Sequence, residues 1–321
     1  MGDGLDLTLL PGAVSPLVAA EVAGGLRRCR VLAAFPTCLY LDLGAHERVL
    51  AVLASDAVAL PIGVRLALPS TEVRWGVEPG ADVVVGEGRV CLPRADVVAV
   101  RPLRPGRVRP TARGTGGASD LPEPGVLGDL AHDLTAAALA GRSPEAGVRG
   151  LVGVGRGLTP SGDDALCGVL LTLAAVDAPQ ARLARAAVVA AVRSALPRTT
   201  SLSAALLVAA GEGYAVPDVA RLVTLVAGAG AGSTSRNDRP EPVPGAGSRG
   251  SIRPIGPSAG LTDPTSLTDL VGRVLAIGHS SGRDLLSGVS GALRAVDVSL
   301  STTFPPTASL STAPQEGAHR G

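Results

Sequence analysis

Short apolar runs rich in β-branched residues, cut by turn residues, fill the first third of the chain at 31–35, 38–43, 49–53, 64–68, 83–85 and 97–100. Runs of this length and spacing predict the strands of a small β-rich domain. Gly86-Glu87-Gly88 falls between two hydrophobic stretches and predicts a hairpin turn, because glycine accepts the positive φ that tight hairpins require. A weakly amphipathic stretch over 16–28 predicts a leading helix.

Between 104 and 124 the pattern lapses into Pro, Gly and Arg, too little apolar surface to order itself, which predicts a flexible linker. Its arginines, Arg104, Arg107, Arg109 and Arg113, are read as a solvated basic stretch, with phosphate contact as the alternative. Beyond it the apolar period lengthens to that of a helix, over 125–141, 163–176, 179–195, 201–213, 216–227, 266–277 and 281–296. The Gly-, Ser-, Arg- and Pro-rich residues 228–263 predict a disordered insertion, and the Ser/Thr/Pro-rich residues from 299 a disordered tail. The expected architecture is α+β, with a β-rich N-terminal domain over 1–103 and a mostly α-helical domain over 125–298 that carries the motifs.

Composition narrows the partners. The chain is 46% hydrophobic but only 2% aromatic, so its core is built from Val, Leu and Ala. A net charge of +1 supplies no global field for nucleic acid or an anionic membrane, and neither is expected as a partner. There is no lysine, which excludes a Schiff-base or P-loop lysine; with 42 Gly and 26 Pro this reads as GC-rich codon usage. The cysteines, Cys29, Cys38, Cys91 and Cys167, are scattered and lack zinc-ligand spacing, which fits a reduced cytoplasm. The first residues carry neither a basic nor a sustained apolar segment of the secretory kind, so a soluble cytoplasmic protein is expected.

Three segments could carry chemistry. In the first, Gly153-Val-Gly155-Arg-Gly157-Leu-Thr159-Pro-Ser161-Gly162-Asp163-Asp164, alternating glycines run into a helix start. Ser161 with Asp164 three residues on fits a capping box, and glycines before helical N–H groups suit a phosphate or carboxylate. Asp163 and Asp164 would repel such an anion unless Mg²⁺ or an arginine stands between, or the ligand presents N–H donors. A well-capped helix with no ligand is the alternative. In the second, Ser281-Gly282-Arg283-Asp284-Leu-Leu-Ser-Gly-Val aligns without a gap on the stretch starting at Ser161, under the shared pattern S-G-x-D-x-L-x-G-V. The two copies are expected to form a pseudo-symmetric pair of helix N-termini facing one pocket, with Arg283 supplying the cation that Asp163 lacks. His279 and Ser280 precede the second copy, and His279 is a candidate for proton transfer, with a packing or capping role as the alternative. In the third, Arg198-Thr199-Thr200-Ser-Leu-Ser203 opens another helix and offers cap hydroxyls or an oxyanion wall with Arg198 as partner. Ser161 has no neighbouring His in a hydrolase elbow, so a Ser-His-Asp triad is not expected.

These blocks, G-x-G-L-T-P-S-G-D-D, T-T-S-L-S and I-G-H-S-S-G-R-D-L-L-S-G, resemble the signature of the AllH-like family, the AllH subunit of bacterial oxamate carbamoyltransferase. The resemblance covers the helical half well and the β half only in general character. It implies a subunit of a multi-subunit enzyme of anaerobic allantoin breakdown. That enzyme interconverts oxalurate plus phosphate with oxamate plus carbamoyl phosphate, beside FdrA-like and AllG-like partners. On this reading Asp163, Asp164 and His279 are catalytic candidates; Gly155, Gly157, Thr159, Ser161, Gly162, Arg198, Thr199, Thr200, Ser203, Ser280, Ser281, Gly282, Arg283 and Asp284 bind the substrate or its anionic groups. No cofactor is firmly implied, and Mg²⁺ is the candidate ion. A non-catalytic metabolite-binding or scaffold subunit, and a metal-assisted amide or acyl hydrolase with Asp163 and Asp164 holding the cation, stand as alternatives.

Overall fold

The computed structural model describes residues 8–113, 121–229 and 266–303. The strands are β1 (Thr8–Val14), then, after the short helix α1 (Ala19–Ala23), β2 (Arg27–Ala34), β3 (Cys38–Asp42), β4 (Val49–Leu53), β5 (Gly63–Leu66), β6 (Asp82–Gly86), β7 (Arg89–Cys91), β8 (Ala95–Pro102) and β9 (Gly106–Arg107). Eight of them close into a barrel in the order β1-β5-β4-β3-β2-β6-β7-β8. The pairs β1–β8 and β4–β5 are parallel and the rest of the ladder is antiparallel.

The expected β-rich half is thus a closed barrel, and closure removes the exposed edges that an open sheet of this size would present. Along β2 the alternation is clean: Cys29 and Val31 are buried while Arg28 and Arg30 face outward. In β4 all five residues are buried, because Leu50 and Val52 join the main barrel cluster while Ala51 and Leu53 pack with Cys38 and Ala57 in a second one. The Gly86–Gly88 turn joins β6 to β7 with positive φ at all three residues, Glu87 included. The leading helix is shorter than the expected 16–28, because Gly24 and Gly25 end it and Arg27 already pairs with Val85 in the barrel. β1 escapes the sequence pattern because Pro11 and Gly12 interrupt its apolar run.

The helical half comprises α2 (Gly125–Leu139), α3 (Glu145–Leu151), α4 (Ser161–Ala175), α5 (Pro179–Ala195), α6 (Ser201–Gly211), the short strand β10 (Tyr214–Ala215), α7 (Pro217–Gly228), α8 (Leu267–Leu275) and α9 (Ser281–Thr303). The periodicity anticipates all of these helices except α3, whose Gly147 and Gly150 lower its helical signal. From Gly162 to Ala175 every residue of α4 is buried, as expected of a helix apolar all round at the centre of a bundle. α6 is buried on nearly every side for another reason: Leu202, Ala205 and Ala209 enter the barrel cluster, whereas Ala204, Leu207 and Ala210 enter the helical one. One helix therefore serves two cores.

Residues 104–113, expected to be solvated, lie against the helical half. β9 pairs with β10, the Val108 N–H donates to the Gly213 carbonyl (2.9 Å) and the Thr111 N–H to the Ala175 carbonyl (2.7 Å). Arg113 is only 2% exposed, in an ion pair with Asp297 of α9 at 2.8 Å and hydrogen-bonded to the Val226 and Ala227 carbonyls. Backbone pairing orders this stretch where its side chains could not. α9 runs to Thr303, past the expected start of the tail at 299; the remainder of the tail, residues 230–263 of the insertion and 114–120 of the linker lie outside the described residues. Among the described residues no helix is long and apolar enough to cross a membrane.

Candidate functional site

The two S-G-x-D-x-L-x-G-V segments begin α4 and α9, and these helices cross at their glycines. A Cβ on Gly168 would stand 2.3 Å from the Leu285 carbonyl, and one on Gly288 would stand 2.0 Å from the Ala165 carbonyl. Ala165 and Leu285 are equivalent positions of the repeat, so the contact is reciprocal, as a local two-fold axis requires.

The symmetry extends to the preceding helices. Gly162 lies on the Leu151 carbonyl at the end of α3, and Gly282 lies on the Val274 carbonyl at the end of α8, with added Cβ atoms at 2.0 and 1.9 Å. The Gly162 N–H donates to the Val154 carbonyl (2.8 Å) and the Gly282 N–H to that of Ile277 (3.0 Å). α3–α4 and α8–α9 are therefore two copies of one helix–turn–helix unit. They differ in the turn: seven residues separate Val154 from Gly162, against four between Ile277 and Gly282. The extra length is the Gly155–Gly157 loop.

This construction changes the roles expected at the helix starts. Pro160 is the N-cap of α4 and Ser161 the first helical residue, with no side-chain cap bond, so the expected Ser161–Asp164 capping box does not form. The turn's own carbonyls take helical N–H groups, Val154 that of Gly162 and Pro160 those of Asp163 and Asp164, which leaves less of this terminus for an anion than its glycines suggest. Gly155, at φ 125°, passes 2.6 Å from the Ser161 nitrogen when a Cβ is built on it, whereas Gly157 opens on free space.

Asp163 and Asp164 separate into different tasks. Asp163 is 1% exposed and both its oxygens are engaged: Oδ1 accepts from the Gly153 N–H (2.9 Å) and Oδ2 from the Thr199 hydroxyl. It ties the glycine loop to the third motif. Next to it, the Thr200 hydroxyl donates to the Leu158 carbonyl and caps α6 by accepting from the Ser203 N–H (3.1 Å), the capping role expected of this segment. Ser203 itself is buried, and Arg198 is exposed, its guanidinium directed to the Arg149 carbonyl at 3.5 Å.

Asp164 faces a cleft of about 200 Å³ between the barrel and the helices, lined by Thr159, Cys167, Leu206, Tyr214, Ser281, Gly282 and, from the barrel side, Tyr40 and Leu60. The Thr159 and Ser281 hydroxyls lie 3.0 Å apart at its edge. Asp164 Oδ2 is buried without a hydrogen-bond partner, and so is Oδ2 of its repeat mate Asp284. Burial pushes the Asp164 carboxyl up to about 7; the nearby Asp284 and Asp163 charges add to the rise and the Ser281 hydrogen bond opposes it. The Cys167 thiol is held well above its ordinary value by burial, then by the Asp164 and Asp163 charges, so it stays a neutral thiol and not a nucleophile.

Other expected members do not converge. His279, Ser280 and Arg283 are exposed, and no ion pair joins Arg283 to Asp163 or Asp164 among the described residues. Arg283 occupies the repeat position of Asp163, but among the described residues no equivalent of Thr199 or the long glycine loop covers it. Arg283, the anticipated cation, is thus not among the residues that line the cleft. His46, a residue without sequence signal, joins the barrel to the start of α6, with Nε2 at 3.0 Å from the Leu196 carbonyl and Nδ1 at 3.4 Å from Ser201 Oγ. Tyr40, Cys167 and Tyr214 were equally silent in the pattern, although Cys167 follows Asp164 by three residues, on the same helical face.

A family model bears directly on this arrangement. Residues 151–239 match the family described as oxamate carbamoyltransferase subunit AllH. The matched stretch holds the glycine loop, Asp163, Asp164 and the Thr199–Ser203 helix start; the second repeat copy lies outside it. No curated protein and no solved structure matches the chain. The family match therefore falls on motifs that carry the resemblance.

Proposed function

We propose that the chain is an AllH-like subunit of a carbamoyltransferase complex that interconverts oxalurate plus phosphate with oxamate plus carbamoyl phosphate, beside FdrA-like and AllG-like subunits in the cytoplasm. The observation that carries the reading is the buried Asp164, whose unpartnered Oδ2 belongs to a carboxyl that lines a small, mostly apolar cleft. A planar amide suits such a cleft: apolar walls exclude water, the Thr159 and Ser281 hydroxyls can meet its carbonyl, and Asp164 can accept its N–H.

In the reaction a phosphate oxygen attacks the carbamoyl carbon and the bond to the oxamate nitrogen breaks. That nitrogen must gain a proton, and hydrogen phosphate must lose one. Asp164, with a pKa near 7, can hold either form and pass that proton. No arginine among the described residues lines the cleft, so on this reading cations from partner subunits meet the anionic ends of the reactants. The same observation favours a second reading, a metabolite-binding scaffold whose partner does the chemistry. A cation held jointly by Asp163 and Asp164 is disfavoured, since both Asp163 oxygens are already engaged.

The deciding experiment co-expresses the chain with its partner subunits and follows phosphate-dependent cleavage of oxalurate, wild type against Asp164→Asn. Loss of turnover with the complex intact supports proton transfer here. Undiminished turnover assigns the chain to the scaffold reading, and activity of the chain alone that depends on added metal assigns it to hydrolysis.

A further inference from the structure

A second cavity lies apart from the Asp164 cleft, and it is basic. β9 and the residues after it run extended across the helices, so side chains alternate: Val108 is buried, while Arg107 and Arg109 emerge on the other side. They line a bowl of about 490 Å³ whose further walls include Arg185 of α5 and Glu212 at the end of α6.

Each arginine is held by a contact of its own or of its backbone. Arg107 stacks 4.9 Å over the ring of Tyr214, the Arg109 N–H donates to Thr224 Oγ1 (3.1 Å), and Arg185 donates through Nε and Nη2 to the Gly211 carbonyl at 3.1 and 2.6 Å. Gly106 fixes the path of the strand, since a Cβ there would stand 2.6 Å from Pro217 Cα. None of the three guanidinium groups forms an ion pair among the described residues. Burial, and then the neighbouring Arg107 charge, pull the Arg185 pKa below its ordinary value, so the cluster carries unrelieved repulsion that Glu212 only partly offsets.

We propose that the bowl formed by Arg107, Arg109 and Arg185 binds the phosphate group of a small metabolite. Three guanidinium groups against one carboxylate leave two positive charges, which a phosphate dianion balances and a monocarboxylate does not. Arginine presents paired N–H donors to phosphate oxygens. The volume exceeds that of bare phosphate, so a phosphate ester or acyl phosphate fits. Tyr214 touches both places, lining the Asp164 cleft and carrying Arg107 on its ring. The inference rests on the bowl alone and stands or falls apart from the carbamoyltransferase reading.

Calorimetric titration of the full chain with inorganic phosphate, glycerol phosphate and acetate tests it. Arg107→Gln and Arg109→Gln alter exposed side chains and leave the fold in place; each is expected to weaken phosphate and glycerol phosphate roughly tenfold. Glu212→Gln is expected to tighten both several-fold and raised salt to weaken them. Tighter binding of glycerol phosphate than of phosphate identifies an ester as the occupant; the reverse identifies free phosphate. The proposal is overturned by no binding at millimolar phosphate, by acetate binding as tightly as phosphate, or by affinity indifferent to the double Arg107/Arg109 variant.

Discussion

Gly288→Ala tests the helix crossing on which the candidate site is built. In a helix the change should by itself stabilise the protein by roughly 0.8–1 kcal/mol, because alanine loses less backbone entropy on folding. The structure reverses that sign. The new Cβ would lie 2.0 Å from the Ala165 carbonyl, a rigid backbone atom, so α9 must withdraw from α4. Restoring ordinary contact takes on the order of 1 Å, enough to forfeit a large part of the dispersion energy along the shared face. Overpacking of this kind costs about 1–3 kcal/mol or more, and because the clash is between backbones the upper part of that range applies. After the propensity gain, a net loss of about 2 kcal/mol is expected. Urea unfolding reads it as a lower midpoint at unchanged slope. Gly168→Ala, 2.3 Å from the Leu285 carbonyl, should behave alike, and the double variant should lose less than the sum because either change opens the same crossing. Gly150→Ala, with nothing within 4 Å, is the control and should stabilise. If Gly288→Ala raises the midpoint as Gly150→Ala does, the close crossing and the two-fold repeat argued from it are wrong.

Two further outcomes follow from the aspartates. The folded-state pKa of Asp164 is raised from 3.8 to about 7, so in that window the folded protein holds a proton that the unfolded chain has released. Stability must then fall as pH rises from about 4 towards 7, by up to about 1.4 kcal/mol per unit, and level off above. Asp164→Asn removes this slope, so the variant gains on the wild type between pH 5 and pH 8 in parallel denaturation curves; a stability difference flat across that range refutes the buried, protonated carboxyl. Asp163→Ala strips acceptors from the Gly153 N–H and the Thr199 hydroxyl and should cost about 2–3 kcal/mol in thermal unfolding, with Asp163→Asn milder because one acceptor remains. An alanine variant as stable as wild type would show that Asp163 does not clamp the loop.

Much of the site was legible because chemistry and repeat both lie in local sequence. The S-G-x-D-x-L-x-G-V duplication led to two helix starts meeting, and the structure brings Asp164, Thr159, Ser281 and Gly282 to one cleft. Capping was one of the two roles that the residue types of the Thr199–Ser203 segment offered, and Thr200 fills it. Illegible were the facts that depend on a covering neighbour. Asp163 and Arg283 hold equivalent positions, yet one is buried beneath the Gly153 turn and Thr199 while the other is exposed. His279 carries a suggestive local context but projects to solvent, and Ser161 looks like a cap but begins the helix after Pro160.

Sequence by itself determined most of the strands and helices, β1, α3 and the β9–β10 pair excepted, since period and punctuation act within a few residues. It also determined the glycines that let α4 and α9 approach and the carboxyl at the repeat's fourth position. Tertiary structure alone decided that the strands close into a barrel, that α6 lends one face to each core, that Asp164 is buried enough to hold its proton near neutrality, and that Arg107, Arg109 and Arg185 share a bowl. The reason is physical: periodicity fixes which face of an element avoids water, but the dielectric and charge around a side chain come from whatever segment, distant in sequence, is laid against that face.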